Sequence, residues 1–324
     1  MSERIPLPFP TGWFCVHDAA DLATGQVETV HCFGRDLVLF RGEDGGAHAV
    51  EPYCPHLGAH LGVGGVVVGN AIRCPFHHWH FDGSGRCVEI PYAKRIPPAA
   101  RVAPWPLVER NGLLFVWYHP DGVAPWWEVP TVPEWGSDEW SDPMVRLFEV
   151  KTHPQEMAEN TVDAVHFRFV HGTPRTPEME ARIDGHVFRA SQGLTFTTPQ
   201  GEVKGRVDIQ QHGCGIGVTR FQGIVDTLLL ITGIPLEDEL HRTTIRFIVK
   251  KLPGHEEATL DVGRAFVSEI ERQYGQDIPI WENKRHLARP VLCDGDGPIA
   301  LLRRFYAQFY PEAPVPSADD RVTA

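Results

Sequence analysis

The chain reads as an α+β protein of two domains: an all-β amino-terminal half, then an antiparallel sheet flanked by helices. Three observations carry this reading. A length of 324 residues exceeds what a single core usually organises. The first 120 residues run as short strand-like stretches broken by glycine turns. Strand patterns between residues 186 and 250 are then followed by helical stripes. The domains are accordingly placed at 1–120 and 136–310. A Pro- and Trp-rich strap at 121–135 joins them, and a polar tail follows at 311–324.

In the first half, Val27–Phe33 and Leu37–Arg41 flank Gly34, and Gly45-Gly46 predicts a hairpin loop. Asn111-Gly112 is a tight-turn pair leading into a strand at Leu113–Tyr118. Between them, residues 54–86 are glycine-rich and show little strand periodicity. In the second half, helices are expected over 155–171, 258–288 and 298–309.

The formal net charge of −12 argues against nucleic acid or an anionic membrane as the main partner, since both demand basic surface. No apolar run approaches the ~18 residues that a membrane span needs. The opening MSERIPLPFP lacks the charged-then-apolar layout of a signal peptide. A cytoplasmic location is expected. Seven cysteines make a disulfide framework improbable there. Cys15, Cys32, Cys87, Cys214 and Cys293 read as small buried hydrophobes.

The other two cysteines have histidine company. Cys54-Pro55-His56 is followed, after 17 residues, by Cys74-Pro75-Phe76-His77. Zinc sites usually pair cysteines with cysteines and histidines with histidines. Here each loop brings one of each, as a [2Fe–2S] cluster needs when two thiolates hold one iron and two imidazoles the other. A Cys₂His₂ zinc site is the alternative. Nearby His60, His78 and His80 are read as surface or hydrogen-bonding residues.

A second constellation lies at Asp163, His166 and His171. Non-haem iron that binds O₂ uses two His and a carboxylate on one face. On one continuous helix, His166 and His171 would diverge by about 140°, so they converge only if the helix ends between them. Gly172 is a stop signal there. Asp163 shares a helix face with His166 and can accept the second N–H of a metal-bound imidazole. For a third ligand, Phe266, Ile270, Tyr274, Ile278 and Trp281 form an apolar stripe that also carries Asp277. A core-facing carboxylate needs a partner such as a metal. The rival reading makes Asp277 the cap of a new helix bracketed by Gly275 and Pro279, with Glu282 as the other candidate carboxylate.

The stretch CPHLGAHLG…CPFHHWHFDGSGRC resembles the Rieske domain of ring-hydroxylating oxygenase α-subunits over about residues 13–119. Rieske proteins of respiratory complexes carry an extra disulfide and a membrane anchor, and neither is visible here. Asn160, Asp163, His166 and His171 match the N-x-x-D-x-x-H-x-x-x-x-H iron motif of the same oxygenases. The segments Gln276–Lys284, Asp296–Ile299 and Arg303–Tyr310 are similar to the carboxy-terminal signature of 3-ketosteroid 9α-hydroxylases and cholesterol 7-desaturases. Compact alkaloid-tailoring Rieske oxygenases look similar in length and layout.

This resemblance implies a helix-grip-like catalytic domain and an iron-ligand role for Asp277. It further implies Fe(II), O₂ as co-substrate, and electrons from NAD(P)H through a separate ferredoxin or flavin reductase. The implied reaction is hydroxylation of a C–H bond of a compact, steroid-like or polycyclic substrate; desaturation, demethylation and oxidation of an alkaloid scaffold are its alternatives. A homotrimer is also implied, in which Asp163 bridges to His77 of a neighbouring chain. Phe167, Phe169, Ile278 and Trp281 are expected to line the substrate pocket. From other classes, a pure electron-transfer Rieske protein would leave the two-His motif without a role, and a zinc-stabilised binding protein would be colourless.

Overall fold

The computed structural model describes residues 3–173, 179–198 and 201–311, with the backbone alone at 194–198. The predicted tail therefore lies outside the described residues beyond Pro311. One compact unit is Trp13–Val129; the other contains the described residues of Met1–Gly12 and Pro130–Ala324. The strap at 121–135 is divided between the two.

The first unit opens with β1 (Gly12–Asp18), then β2 (Val27–Cys32) and β3 (Arg35–Arg41). Phe33 and Gly34, both at positive φ (54° and 67°), close the β2–β3 hairpin. A phenylalanine resists that conformation. Burial offsets the cost: its ring is 3% exposed and stacks on Tyr118 with centroids 4.2 Å apart. After the Gly45-Gly46 loop comes β4 (Ala47–Val50).

The glycine-rich segment contains β5 (Val66–Val68), β6 (Ala71–Arg73) and β7 (His80–Asp82), and β8 (Cys87–Glu89) follows it directly. Strands of three residues are too short to show a period of two, which is why the sequence concealed them. Next are β9 (Pro104–Trp105), β10 (Leu107–Arg110) and β11 (Leu113–Tyr118), the last two joined through Asn111-Gly112 as the sequence predicts. The sheets run β2-β3-β4-β9, β5-β6-β7-β8 and β1-β11-β10. Val38, Phe40, Ile72 and Phe81 share one buried cluster with Cys54 and Cys74.

The second unit is built on one antiparallel sheet. Its elements are β12 (Met144–Val150), α1 (Pro154–Ala158), a 3₁₀ turn (Glu159–Thr161) and α2 (Ala164–Phe169). Then come β13 (Met179–Asp184), β14 (Val187–Thr198), β15 (Gly201–His212) and β16 (Ile216–Gln222). The chain ends with β17 (Thr227–Glu237), β18 (Leu240–Val249), α3 (Glu256–Asn283) and α4 (Ile299–Ala307). The sheet order is β12-β18-β17-β16-β15-β14-β13. Phe266, Val267, Ile270 and Tyr274 of α3 pack on Leu229, Ile245 and Phe247, so the predicted stripe is the face that meets the sheet.

One helical expectation changes, and one rival reading falls away. The single helix read over 155–171 is three short pieces, because Asp163 stops one and caps the next: its Oδ1 accepts from Val165 N and His166 N, each at 3.2 Å. Conversely, no helix restarts at Asp277. α3 is continuous for 28 residues with Pro279 inside it, and Asp277 is an interior residue rather than a cap.

Buried charge ties the short pieces down. Glu156, fully buried, pairs with Lys284 Nζ and His286 Nδ1 at 2.7 Å each. Burial alone would raise the Glu156 carboxyl, but Lys284 and His286 outweigh it and hold it below the usual range. Arg303 of α4 grips Glu159 through Nε at 2.7 Å. Cys15, Cys32, Cys87 and Cys214 are buried as read, whereas Cys293 is exposed in the irregular chain after α3. Among the described residues, no helix is long and apolar enough to cross a membrane.

Candidate metal centres

The two Cys–His loops of the first unit are near copies in backbone. Gly58 N donates to Cys54 O at 3.0 Å, and His78 N to Cys74 O at 3.2 Å. Each turn ends in a left-handed residue, Gly58 (φ 74°) or His78 (φ 58°). The cysteine amides are held as well, by Ala59 O at 2.9 Å and Trp79 O at 2.8 Å. The loops thus pair like with like: the two thiols lie within hydrogen-bonding reach, and the His56 and His77 rings are 4.5 Å apart. Trp79 stacks on His56 at 4.7 Å and fixes its plane.

Cys54 and Cys74 are buried, and burial pushes the Cys54 thiol up to about 11. His56 Nδ1 is buried with no hydrogen-bond partner. A pair of buried thiols beside an unsatisfied imidazole nitrogen fits a cationic group, which would draw off the thiol protons and take the nitrogen's lone pair. The neighbouring histidines have other duties. His80 pairs with Glu89 at 3.0 Å, and His60 Nδ1 accepts from Gly62 N at 3.1 Å.

In the second unit α2 ends at Phe169, between the two histidines. His171 therefore escapes the helical repeat and turns back, and the rings of His166 and His171 come to 5.0 Å. One candidate ligand atom from each of His166, His171 and Asp277 lies within 4.8 Å of the others. His171 Nε2 is 3.3 Å from Asp277 Oδ2, while Asp277 Oδ1 is buried without a hydrogen-bond partner. Burial raises the Asp277 carboxyl against the opposing pull of His171, His166 and Asn160. An orphaned carboxylate oxygen facing two imidazoles fits a divalent cation.

Both rings are aimed from behind. His166 Nδ1 donates to the backbone carbonyl of Asp163, so the Asp163 carboxylate is not the group that orients it. His171 Nδ1 donates to Gln276 Oε1 at 2.9 Å, and the same oxygen accepts from Arg272 at 2.8 Å. In both rings Nε2 is the nitrogen left for a metal. Gln276 and the Asn160–Asp277 contact are additions that the sequence reading missed. Asn160 stands in the quoted motif, but Gln276 meets its partner across 105 residues. Glu282 is committed elsewhere, accepting from Lys151 N at 3.2 Å. We expect Gln276→Leu to weaken iron binding about 10–100-fold, since the second N–H of a ligating imidazole loses its acceptor. Competition against a chelator measures this, and unchanged affinity would remove Gln276 from the site.

Two family models match the chain. Residues 12–106 match the Rieske [2Fe-2S] domain, and residues 116–310 match the 3-ketosteroid 9α-hydroxylase C-terminal domain. The chain belongs to the Rieske oxygenase family. A 3-ketosteroid-9-alpha-monooxygenase oxygenase component from Rhodococcus rhodochrous is 35% identical over 322 residues, covering 94% of this chain and 81% of that protein. A cholesterol 7-desaturase from Caenorhabditis elegans is 34% identical, covering 95% of this chain and 78% of that one. In fold, the chain is similar to a Pseudomonas putida NdmA variant solved with caffeine (TM-score 0.72, 18% identity, 94% and 96% covered). It is also similar to dicamba monooxygenase bound to dicamba (TM-score 0.67, 18% identity, 92% and 96% covered).

This Rieske oxygenase has a cavity of about 120 Å³ in the second unit, and Tyr274 in its wall is close enough to Asp277 for the carboxylate's charge to act on the phenol. Its helical wall includes Thr161, five residues before His166, and Tyr274, one turn before Asp277. The sheet supplies the opposite wall, where Ile209, Gly217, Gly233 and His241 are among the lining residues. Phe167, Phe169, Ile278 and Trp281, expected to line the substrate pocket, are not among the residues of this cavity. Phe169 is 75% exposed at the end of α2, and Trp281 is buried in the packing beneath α3.

Proposed function

We propose that Cys54, His56, Cys74 and His77 hold a [2Fe–2S] cluster, and that His166, His171 and Asp277 hold a mononuclear Fe(II). The observation that carries this reading is the convergence of two imidazoles and an unsatisfied carboxylate within 4.8 Å, on a chain that also has paired Cys–His loops. Together the two groups would supply single-electron delivery and O₂ activation for oxidising a substrate C–H bond. The protein's own part is positional. The Asp163 carbonyl and Gln276 fix the imidazole tautomers, Asp277 contributes negative charge, and the cavity walls hold substrate beside them away from bulk water.

The substrate that the relatives' names favour is compact and steroid-like or polycyclic, hydroxylated at a C–H bond. A second reading has support in the small cavity: a smaller natural-product scaffold, or desaturation or demethylation, would use the same residues. Electrons would come from NAD(P)H through a ferredoxin or flavin reductase in the cytoplasm. We further propose a head-to-tail homotrimer in which the Asp163 carboxylate of one chain faces His77 of the next.

The decisive measurement is composition. The purified protein should be red-brown and hold about three irons and two acid-labile sulfides per chain, one cluster plus one iron. A colourless protein with one zinc would refute the assignment, and two irons without a third would leave only an electron carrier. Substrate is then found by supplying a surrogate reductase with steroids and alkaloids. The readout is substrate-stimulated uptake of O₂ and NADH together with product analysis.

A further inference from the structure

His241 is a buried histidine that the metal centres do not use. It projects from β18 on the face that carries Thr243, Ile245 and Phe247, towards the helices, and it lines the cavity with Thr161 and Tyr274. Its side chain is 4% exposed, yet Nδ1 has no hydrogen-bond partner. Nε2 lies over Gly233 on the neighbouring strand; a Cβ there would sit 2.5 Å from it. Glycine at 233 therefore makes room for the imidazole.

A neighbour supplies the contrast. His153 is also buried, but both of its nitrogens are used: Nε2 donates to Pro8 O at 3.1 Å, and Nδ1 accepts from Gln155 N at 3.2 Å. His153 is a structural histidine. His241 keeps hydrogen-bonding capacity inside a cavity, at a cost in stability that a bound molecule can cancel. Burial, with His153 adding to it, lowers the His241 imidazole to about 3, so the ring is neutral and offers one donor and one acceptor.

We propose that His241 is a specificity-determining residue, hydrogen-bonding a carbonyl or hydroxyl oxygen on an otherwise apolar fused-ring substrate. The proposal rests on the oxygenase reading above, with substrate in this cavity. A ketone oxygen would accept from the ring N–H, and an alcohol would donate to the bare nitrogen. A hydrocarbon of the same shape would leave the imidazole unsatisfied and be rejected.

The test is equilibrium binding to the metal-loaded protein, which needs no electrons. Androstane is compared with its ketones and alcohols, substituted at either end of the skeleton. Wild type should bind at least one oxygenated probe about 10-fold or more tighter than androstane, and His241→Phe should bring that ratio to within about twofold of unity. His241→Asn, which keeps a donor and an acceptor, should retain part of the preference. If His241→Phe does not fold, Gly233→Ala displaces the imidazole instead and should also flatten the ratio. A preference that survives loss or displacement of the imidazole overturns the proposal. So does a wild type that binds androstane as tightly as its oxygenated forms, or binds none of the probes. Iron content and O₂ uptake are measured on the same preparations. Turnover of another compound without this selectivity would sink the anchor and leave the oxygenase reading standing. Absence of the third iron would sink the oxygenase reading, while the binding ratio still decides on His241.

Discussion

Replacing Asp277 by alanine should empty the mononuclear site, reduce turnover to background and leave the visible spectrum of the cluster unchanged. The argument runs from the carboxylate's surroundings. Oδ2 approaches His171 Nε2 at 3.3 Å and Oδ1 has no hydrogen-bond partner, so beyond its contact with Asn160 the side chain has little else to do in the fold. Removing a buried carboxylate whose ionised form burial disfavours costs the metal-free protein little, and alanine is the better helix former inside α3. What is lost is one of the three proposed protein ligands and the only carboxylate among them. Glu282 cannot take over without surrendering its bond to Lys151 N. Iron should fall from about three per chain to about two while acid-labile sulfide stays at about two. Full iron with normal turnover would show that Asp277 is not a ligand.

How far the sequence anticipated this site depends on the range of each signal. Asp277 lay on a visible apolar stripe, because a helix interior repeats locally and a charged residue on its buried face stands out. The break between His166 and His171 was legible as a geometric necessity. The mechanism of the earlier break was not: Asp163 restarts the helix by accepting two amides, where the sequence had offered its carboxylate to an imidazole. Gln276 and His241 were beyond reach for a different reason. Their significance lies in a partner 105 residues away and in a missing partner, and neither leaves a periodic trace. The residues expected to line the pocket were chosen for nearness in sequence to the candidate ligands, and this cavity has other walls. Much of the wall comes instead from strands, including small residues such as Gly217 and Gly233 that are notable for the space they leave.

Some close packing could be seen only in three dimensions. A Cβ on Gly297 would fall 1.8 Å from the carbonyl oxygen of Val162, so only glycine lets the chain before α4 approach the backbone beside Asp163. With Arg303 gripping Glu159, this puts the α4 end of the unit in charge of where α2 begins. The start of α2 in turn sets the position of His166. Residues of the carboxy-terminal signature thus bear on the placement of His166 in the candidate metal site through the backbone.

Asp163 allows the most searching test of assembly, because its two capping bonds can be kept while its charge is removed. Asparagine caps a helix about as well as aspartate. Asp163→Asn should therefore preserve α2, His166 and both metals, yet lower substrate oxidation on the order of 100-fold if the carboxylate that caps α2 also faces His77 of a neighbouring chain. Asp163→Ala would confuse the two effects by removing the cap as well. Whether electrons cross between chains is then asked by co-expressing two inactive variants, Cys74→Ala without a cluster and Asp277→Ala without mononuclear iron. An active pair needs an intact iron in one chain and an intact cluster in its neighbour. In a random mixture that is one half times one half, so roughly a quarter of wild-type activity should return if the head-to-tail ring closes. Each variant alone should stay inactive. Mixed trimers that form, keep every intact centre loaded and still show no activity would mean that electrons do not pass between chains. Asp163 would then be left with its role as the cap of α2.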